Sequence, residues 1–239
     1  MAWEPWTGCY KISDGCTYCY YYGPHSKRYG QNTIIRANEQ EFYKPLETVY
    51  MPRKKITKYK MSGKTCYTCF TTDFFLPEAD EWRAEAWNIM KQRPDVNFVM
   101  LTKRIDRFFI SLPDDWGDGY GNVEIGCTVE NQETAECRLP LYISYPLKKR
   151  WITCGPILGS IDLTSYLHAI ESVSVSGESG RDARVCDYEW VLGIYEQCKK
   201  SGVPFSFRGT GSHFRKDGTV SKVNPYKQRS LARDIGIDT

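Results

Sequence analysis

Six short β-rich runs recur along the chain, at residues 65–70, 96–101, 122–127, 149–154, 171–176 and 203–208. Their starts lie roughly 22 to 32 residues apart, the length of a strand, a helix and two short loops. Helix-like segments fill several of the gaps, among them Glu78–Gln92 and Tyr188–Lys200. The second closes on Ser201-Gly202, a helix stop. Parallel strands need crossovers of this length, whereas hairpins do not. The pattern therefore predicts an α/β fold of about six β/α units. Its parallel sheet would form a partial or complete TIM-like barrel, preceded by an N-terminal cysteine loop. No linker, internal repeat or low-complexity tract interrupts the 239 residues. A single domain is expected, with a cysteine loop and basic segment at 1–64, β/α repeats at 65–211 and an extension at 212–239.

The residues that follow each run point to one edge of that sheet. They read Thr71-Thr72-Asp73, Thr102-Lys103-Arg104, Thr128-Val129-Glu130-Asn131, Gly155-Pro156, Gly177-Glu178-Ser179-Gly180 and Arg208-Gly209-Thr210-Gly211. In parallel α/β folds the carboxyl edge is where ligands bind. Polar loops and helix caps alone would account for any one of these turns. Together they read as one site.

Ten cysteines and no stretch of eighteen apolar residues suggest a cytoplasmic protein that crosses no membrane. The opening residues also lack the layout of a signal peptide. In a reducing compartment such cysteines read as metal ligands or core residues. A net charge of +3 does not by itself imply a nucleic-acid partner, yet Arg53, Lys54, Lys55, Lys58, Lys60 and Lys64 fall in a segment with no acid. That segment reads either as a solvated surface or as a phosphate-contacting patch.

Three cysteines stand close together in GCYKISDGCTYCY, where Cys9, Cys16 and Cys19 are spaced C-x6-C-x2-C. A [4Fe–4S] cluster usually takes four thiolates. Three leave one iron open to a small molecule, as catalytic zinc keeps one position open. Gly8 and Gly15 each precede a cysteine and give the loop conformational freedom. Zinc is the rival, with a fourth ligand from His25 or from the Cys66/Cys69 pair. That pair sits within a predicted strand, where side chains three apart point to opposite faces. Cys127 and Cys154 end predicted strands, and Cys137, Cys186 and Cys198 lie on or beside predicted helices. Cys69, Cys127 and Cys154 could face the site and ligate a second cluster, but packing roles are the expectation for all five strand-end and helix cysteines.

The opening WEPWTGCYKISDGCTYCY resembles the W-N-P-x-T-G-C…G-C-x-x-C-Y start of an uncharacterised family of phages and bacteria that is viewed as radical-SAM-like. The likeness continues through TTDFF, MLTKRIDRF, IGCTVENQ, ITCGPILGSIDL, VSGESGRDAR and EQCKKSGVPFSFRGTG. It implies a cluster on Cys9, Cys16 and Cys19 that cleaves S-adenosylmethionine to a 5′-deoxyadenosyl radical, fed by a reductase or flavodoxin-type electron donor. By position, it places Tyr18 at the adenine, Asp73 at the methionine amino group and Glu130 at the ribose hydroxyls, with Thr128 also among the cofactor-binding residues. Gly177, Glu178 and Ser179 would contact the cofactor backbone. Lys103 and Arg208, with Arg104 and Arg181, would hold an anionic substrate such as a nucleotide or nucleic acid. The chain departs from the usual C-x3-C-x2-C signature in its longer first gap. It also has Gly155 and Arg208-Gly209 where the family has Glu and Lys-Gln. The competing expectation is a zinc-stabilised nucleic-acid-binding module without catalytic activity.

Overall fold

The computed structural model describes residues 1–22 and 33–239; His25, the alternative zinc ligand, lies outside them. The strands are β1 (Ala2–Trp3), β2 (Trp6–Thr7), β3 (Ile35–Arg36), β4 (Thr48–Met51), β5 (Ile56–Tyr59), β6 (Thr65–Thr68) and β7 (Asn97–Thr102). Then come β8 (Val123–Val129), β9 (Arg150–Cys154), β10 (Ser172–Ser176), β11 (Val185–Asp187), β12 (Phe205–Gly209), β13 (His213–Lys216) and β14 (Thr219–Lys222). The helices are α1 (Glu39–Phe42), α2 (Asp80–Gln92), α3 (Gln132–Ser144), α4 (Tyr188–Ser201) and α5 (Gln228–Asp234).

Seven strands form a sheet in the order β1-β6-β7-β8-β9-β10-β12. The pairings β1–β6, β6–β7, β9–β10 and β10–β12 are all parallel. All six β-rich runs of the sequence are strands of this sheet, joined by β1, whose two residues carry too little pattern to be read. The order is open, with β1 and β12 at its ends. The expected alternation is incomplete: after β7 and after β9 the described chain forms only single 3₁₀ turns, Ile105–Arg107 and Leu167–Ala169.

The chain divides into two compact units. The first comprises Met1–Tyr10, the described residues up to Gly126, and Pro146–Lys149. Its core is aromatic: Trp6 packs on Phe74, Phe74 on Trp87, Trp87 on Trp116 and Phe108 on Trp116, with ring centroids 4.7 to 5.7 Å apart. Helix α2 contributes Ala86, Trp87, Ile89 and Met90 to it. The fully buried Arg83 on the same helix ties down the chain before and after it. Its guanidinium donates to the carbonyls of Phe74, Leu76 and Ile110 and pairs with Asp80 at 2.9 Å. These donations satisfy backbone acceptors that burial would otherwise leave unpaired.

The second unit comprises the described residues from Lys11, Cys127–Tyr145 and Arg150–Thr239. Helix α3 starts on a reciprocal Asn131/Thr134 capping box. Helix α4 buries Val191, Ile194 and Cys198 and ends at Gly202, whose φ of +68° closes the last turn. Strand β12 would present an unpaired edge, a template for aggregation. The chain's last residues cover it: Phe205 N donates to Thr239 Oγ1 at 2.9 Å, and Phe207 N to Asp238 Oδ1 at 2.6 Å.

Candidate functional site

In the first unit, Cys9 stands beside a buried charge pair. Arg104, just past β7, places Nη1 3.9 Å from Cys9 Sγ and 3.2 Å from Asp73 Oδ2, while Nη2 donates to the Tyr10 carbonyl at 2.8 Å. Burial works against the guanidinium's charge, but Asp73, Cys9 and Tyr10 outweigh it and hold its pKa above the ordinary value. A cation in this position is of the sign a thiolate ligand requires. Gly8, immediately before the cysteine, has φ +106°, and a side chain there would lie 2.1 Å from the Thr33 carbonyl oxygen. Only glycine fits.

Asp73 takes a different task from the one expected. Its Oδ1 accepts from Phe75 N at 3.0 Å and Thr102 Oγ1 at 2.8 Å, and its Oδ2 from Lys103 N at 3.1 Å and Arg104. Four protein donors fill the acceptor sites of one carboxylate. Through these bonds Asp73 joins the end of β6 to the end of β7. Arg104, expected at a substrate, is likewise buried and committed to this network.

In the second unit, the loop carrying Cys16 and Cys19 rests on two buried carboxylates at the carboxyl ends of β8 and β10. Ser13 Oγ donates to Glu130 Oε1 at 2.8 Å, and Arg138 of α3 pairs with Glu130 Oε2 at 2.9 Å. A side chain on Gly15 would come within 2.4 Å of Glu130 Cγ, so the glycine lets the loop lie directly on this acid. Residues Asp14–Cys16 form one 3₁₀ turn, with Cys16 N donating to Ser13 O at 2.9 Å. Glu178 holds Arg184 through two oxygens, at 2.9 and 2.7 Å, a bidentate pair. That arginine donates in turn to the Asp14 carbonyl at 2.9 Å, and its guanidinium lies 5.4 Å from the Tyr18 ring centre. The Glu178 hydrogen bond is the main cause of Arg184's raised pKa.

Glu130 is buried, with Ser13 and Arg138 as partners. Thr128 is buried too, and its carbonyl accepts from Arg138 at 2.7 Å. Gly177 and Glu178 are spent on packing: Gly177 N donates to Gly209 O, and Glu178 O accepts from Ser212 N at 2.8 Å. Ser179 Oγ donates to Gln228 Oε1 at 2.6 Å. Tyr18 and Arg208 are exposed and Lys103 is half-buried. Arg181 is exposed and pairs with its neighbour Asp182. The residues that grip the cysteine loop, Ser13, Arg138 and Arg184, were not singled out from sequence, although Ser13 lies within GCYKISDGCTYCY and Arg184 closes VSGESGRDAR; only Arg138 lies in a segment with no motif of its own.

Most of the remaining cysteines are core. Strand β6 ends at Thr68, and Cys69 turns the chain with φ +56°, which breaks the strand alternation. Cys66 and Cys69 are consequently both buried, where opposite faces were expected. Burial pushes the Cys66 thiol up to about 11, and the Cys69 and Cys154 thiols well above their ordinary value. Burial likewise raises Cys186 and Cys198 to about 12. Protonated, enclosed thiols make poor metal ligands. Cys137 differs from expectation and is exposed on α3. Cys9 and Cys19 are half-buried and Cys16 is buried. Among the described residues no group of three or more His, Cys, Asp or Glu side chains forms a metal site.

Residues 1–234 match a protein family described as "Protein of unknown function (DUF5131)". The chain belongs to the DUF5131 family. No curated protein and no solved structure matches it. The match to DUF5131 includes the cysteine loop and all seven strands of the parallel sheet. Among its described residues no helix is long and apolar enough to cross a membrane.

Proposed function

We propose that this DUF5131 protein binds a [4Fe–4S] cluster through Cys9, Cys16 and Cys19 and acts as a radical SAM enzyme on an anionic substrate. The observation that carries the reading is the anchoring of the loop that bears Cys16 and Cys19. Two buried carboxylates, Glu130 and Glu178, each paired with an arginine, fix its backbone through Ser13 and Asp14. Of the two pairs, Glu130–Arg138 is buried on both sides, and such a pair carries a desolvation cost of several kcal/mol per ion that its geometry must offset. Cys9, Cys16 and Cys19 would hold the cluster by three thiolates, leaving one iron open, and the cluster would supply the electron for reductive cleavage of the sulfonium of S-adenosylmethionine.

The chain's own residues divide the supporting work. Arg104 sets a positive charge beside Cys9. Tyr18, exposed and flanked by Arg184, offers a flat aromatic face to an adenine ring. Lys103 and Arg208 provide positive charge for the substrate, and a flavodoxin-type protein or reductase is the proposed electron donor. Asp73, Glu130 and Glu178 hold the framework and touch no ligand in this reading.

Anaerobic reconstitution with iron and sulfide tests it. The expected product is brown, and its reduced EPR signal changes when S-adenosylmethionine is added, with release of 5′-deoxyadenosine. A colourless protein holding one zinc per chain overturns the reading in favour of a zinc-stabilised binding module.

A further inference from the structure

Strands β4 and β5 form a two-stranded ribbon that pairs with no other strand among the described residues. Every residue from Pro52 to Lys60 is exposed, as are Thr48, Val49 and Tyr50 before them. An isolated hairpin is marginally stable in water, so its base needs an anchor. Arg93, fully buried, supplies it by lying 4.1 Å from the Tyr59 ring centre, and Lys60 N donates to Glu47 O at 2.9 Å. The rest projects into solvent.

The ribbon's chemistry is one-sided. Its turn is Pro52-Arg53-Lys54-Lys55, Lys58 follows on β5, and no acid occurs from Thr48 to Lys64. Lys60 is paired with Glu47 at 3.0 Å, but Arg53, Lys54, Lys55 and Lys58 have no ion-pair partner among the described residues. The register Thr48↔Tyr59 and Tyr50↔Thr57 puts two tyrosines and two threonines on one face. Tyr50 is 58% exposed. Such a surface carries hydrogen-bonding hydroxyls and aromatic rings between uncompensated cations.

We propose that the β4–β5 ribbon binds duplex DNA, with Arg53, Lys54, Lys55 and Lys58 on phosphates and the turn entering the major groove. That groove, about 12 Å wide, admits a two-stranded β-ribbon, whereas the deep, narrow major groove of duplex RNA does not. An acidic protein would also suit the charge, but it would not need a ribbon that projects its turn into solvent. The proposal goes beyond the cluster-binding reading and does not rest on it, because the ribbon contains no cysteine.

Fluorescence anisotropy of a labelled DNA duplex, titrated with the purified protein at about 50 to 200 mM salt, provides the test. Each phosphate contact contributes roughly 0.9 to the slope of log K against log salt, so the quadruple variant R53Q/K54Q/K55Q/K58Q should flatten that slope by about 3 to 4. Its affinity should fall at least tenfold while its thermal midpoint stays unchanged, since the four side chains are exposed. The control K222Q/K227Q, on basic residues of the C-terminal segment, should leave the slope as it is. Three results overturn the proposal: no duplex binding at low salt, equal slopes for wild type and quadruple variant, or tighter binding to a single strand of equal length. Binding to phosphatidylserine vesicles without binding to DNA would also overturn it.

Discussion

Ser13 Oγ donates a hydrogen bond of 2.8 Å to Glu130 Oε1, across 117 positions of sequence. The serine sits in the cysteine loop, and the glutamate directly follows β8. Arg138 takes the other glutamate oxygen at 2.9 Å. Gly15 lies so close to the glutamate that any side chain there would overlap it. One buried carboxylate thus sets the path of the chain immediately before Cys16.

Removing that carboxylate should be costly. Glu130→Ala leaves Arg138 buried without its counter-charge, which costs about 3 to 5 kcal/mol. Glu130→Gln keeps the bond to Ser13 and should cost less than Glu130→Ala. Gly15→Ala forces a shift of loop or glutamate worth about 1 to 3 kcal/mol. Urea denaturation at neutral pH measures all three. Wild-type stability in Glu130→Ala would show that the pair carries no structural role.

Much of the framework was legible from the chain, and the reasons for the remainder are physical. The six β-rich runs and α4 could be read because strand composition and the Ser201-Gly202 stop are local signals. Helix α3 was harder to see, since Pro140 lies inside it and its apolar stripe is weak. The missing helices after β7 and β9 reflect the same limit, as spacing alone cannot tell a helix from a folded loop. At the site, the residue types at the strand ends were legible, but their arginine partners were not. Asp73, Glu130 and Glu178 look alike in sequence whether they face a ligand or an arginine. Only the positions of Arg104, Arg138 and Arg184 decide between these, and such long-range pairing leaves no local pattern.

Thiol reactivity should separate the cysteines. At pH 8, N-ethylmaleimide should modify the exposed Cys137 within minutes. Cys66, Cys69, Cys154, Cys186 and Cys198 should stay unmodified until the protein unfolds, because burial both encloses them and keeps them protonated. Peptide mass spectrometry reads the result. Rapid labelling of Cys66 in the folded protein would contradict the placement of β6.

Glu4 should make stability depend on pH. Burial raises its pKa from 4.5 to about 7, against the lowering effect of its hydrogen bonds to Thr71, and its Oε2 has no hydrogen-bond partner among the described residues. Folded Glu4 therefore keeps its proton to higher pH than unfolded Glu4. Folding takes up a proton between about pH 4.5 and 7, and stability falls as pH rises across that window. The loss attributable to this one group is on the order of 3 kcal/mol. Glu4→Gln should remove that part of the slope, measured as urea midpoints at pH 5 and pH 8. An unchanged slope in the variant would place the titration elsewhere.

The edge of β12 offers a simpler test. Asp238→Ala removes the acceptor of Phe207 N, a charge-assisted bond, and should cost about 1.5 to 3 kcal/mol. Hydrogen exchange at Phe207 should accelerate while exchange in β6 and β7 stays as in the wild type. Equal exchange at Phe207 in both proteins would show that the C-terminal residues do not guard this edge.

The most direct measurement is the iron and acid-labile sulfide content of anaerobically reconstituted protein, compared across single cysteine variants. The account predicts about four irons per chain in the wild type. Cys9→Ala, Cys16→Ala and Cys19→Ala should each lose most of that iron, while Cys66→Ala and Cys154→Ala retain it. Iron unaffected by loss of Cys16, or a wild-type protein that takes up only zinc, would contradict it.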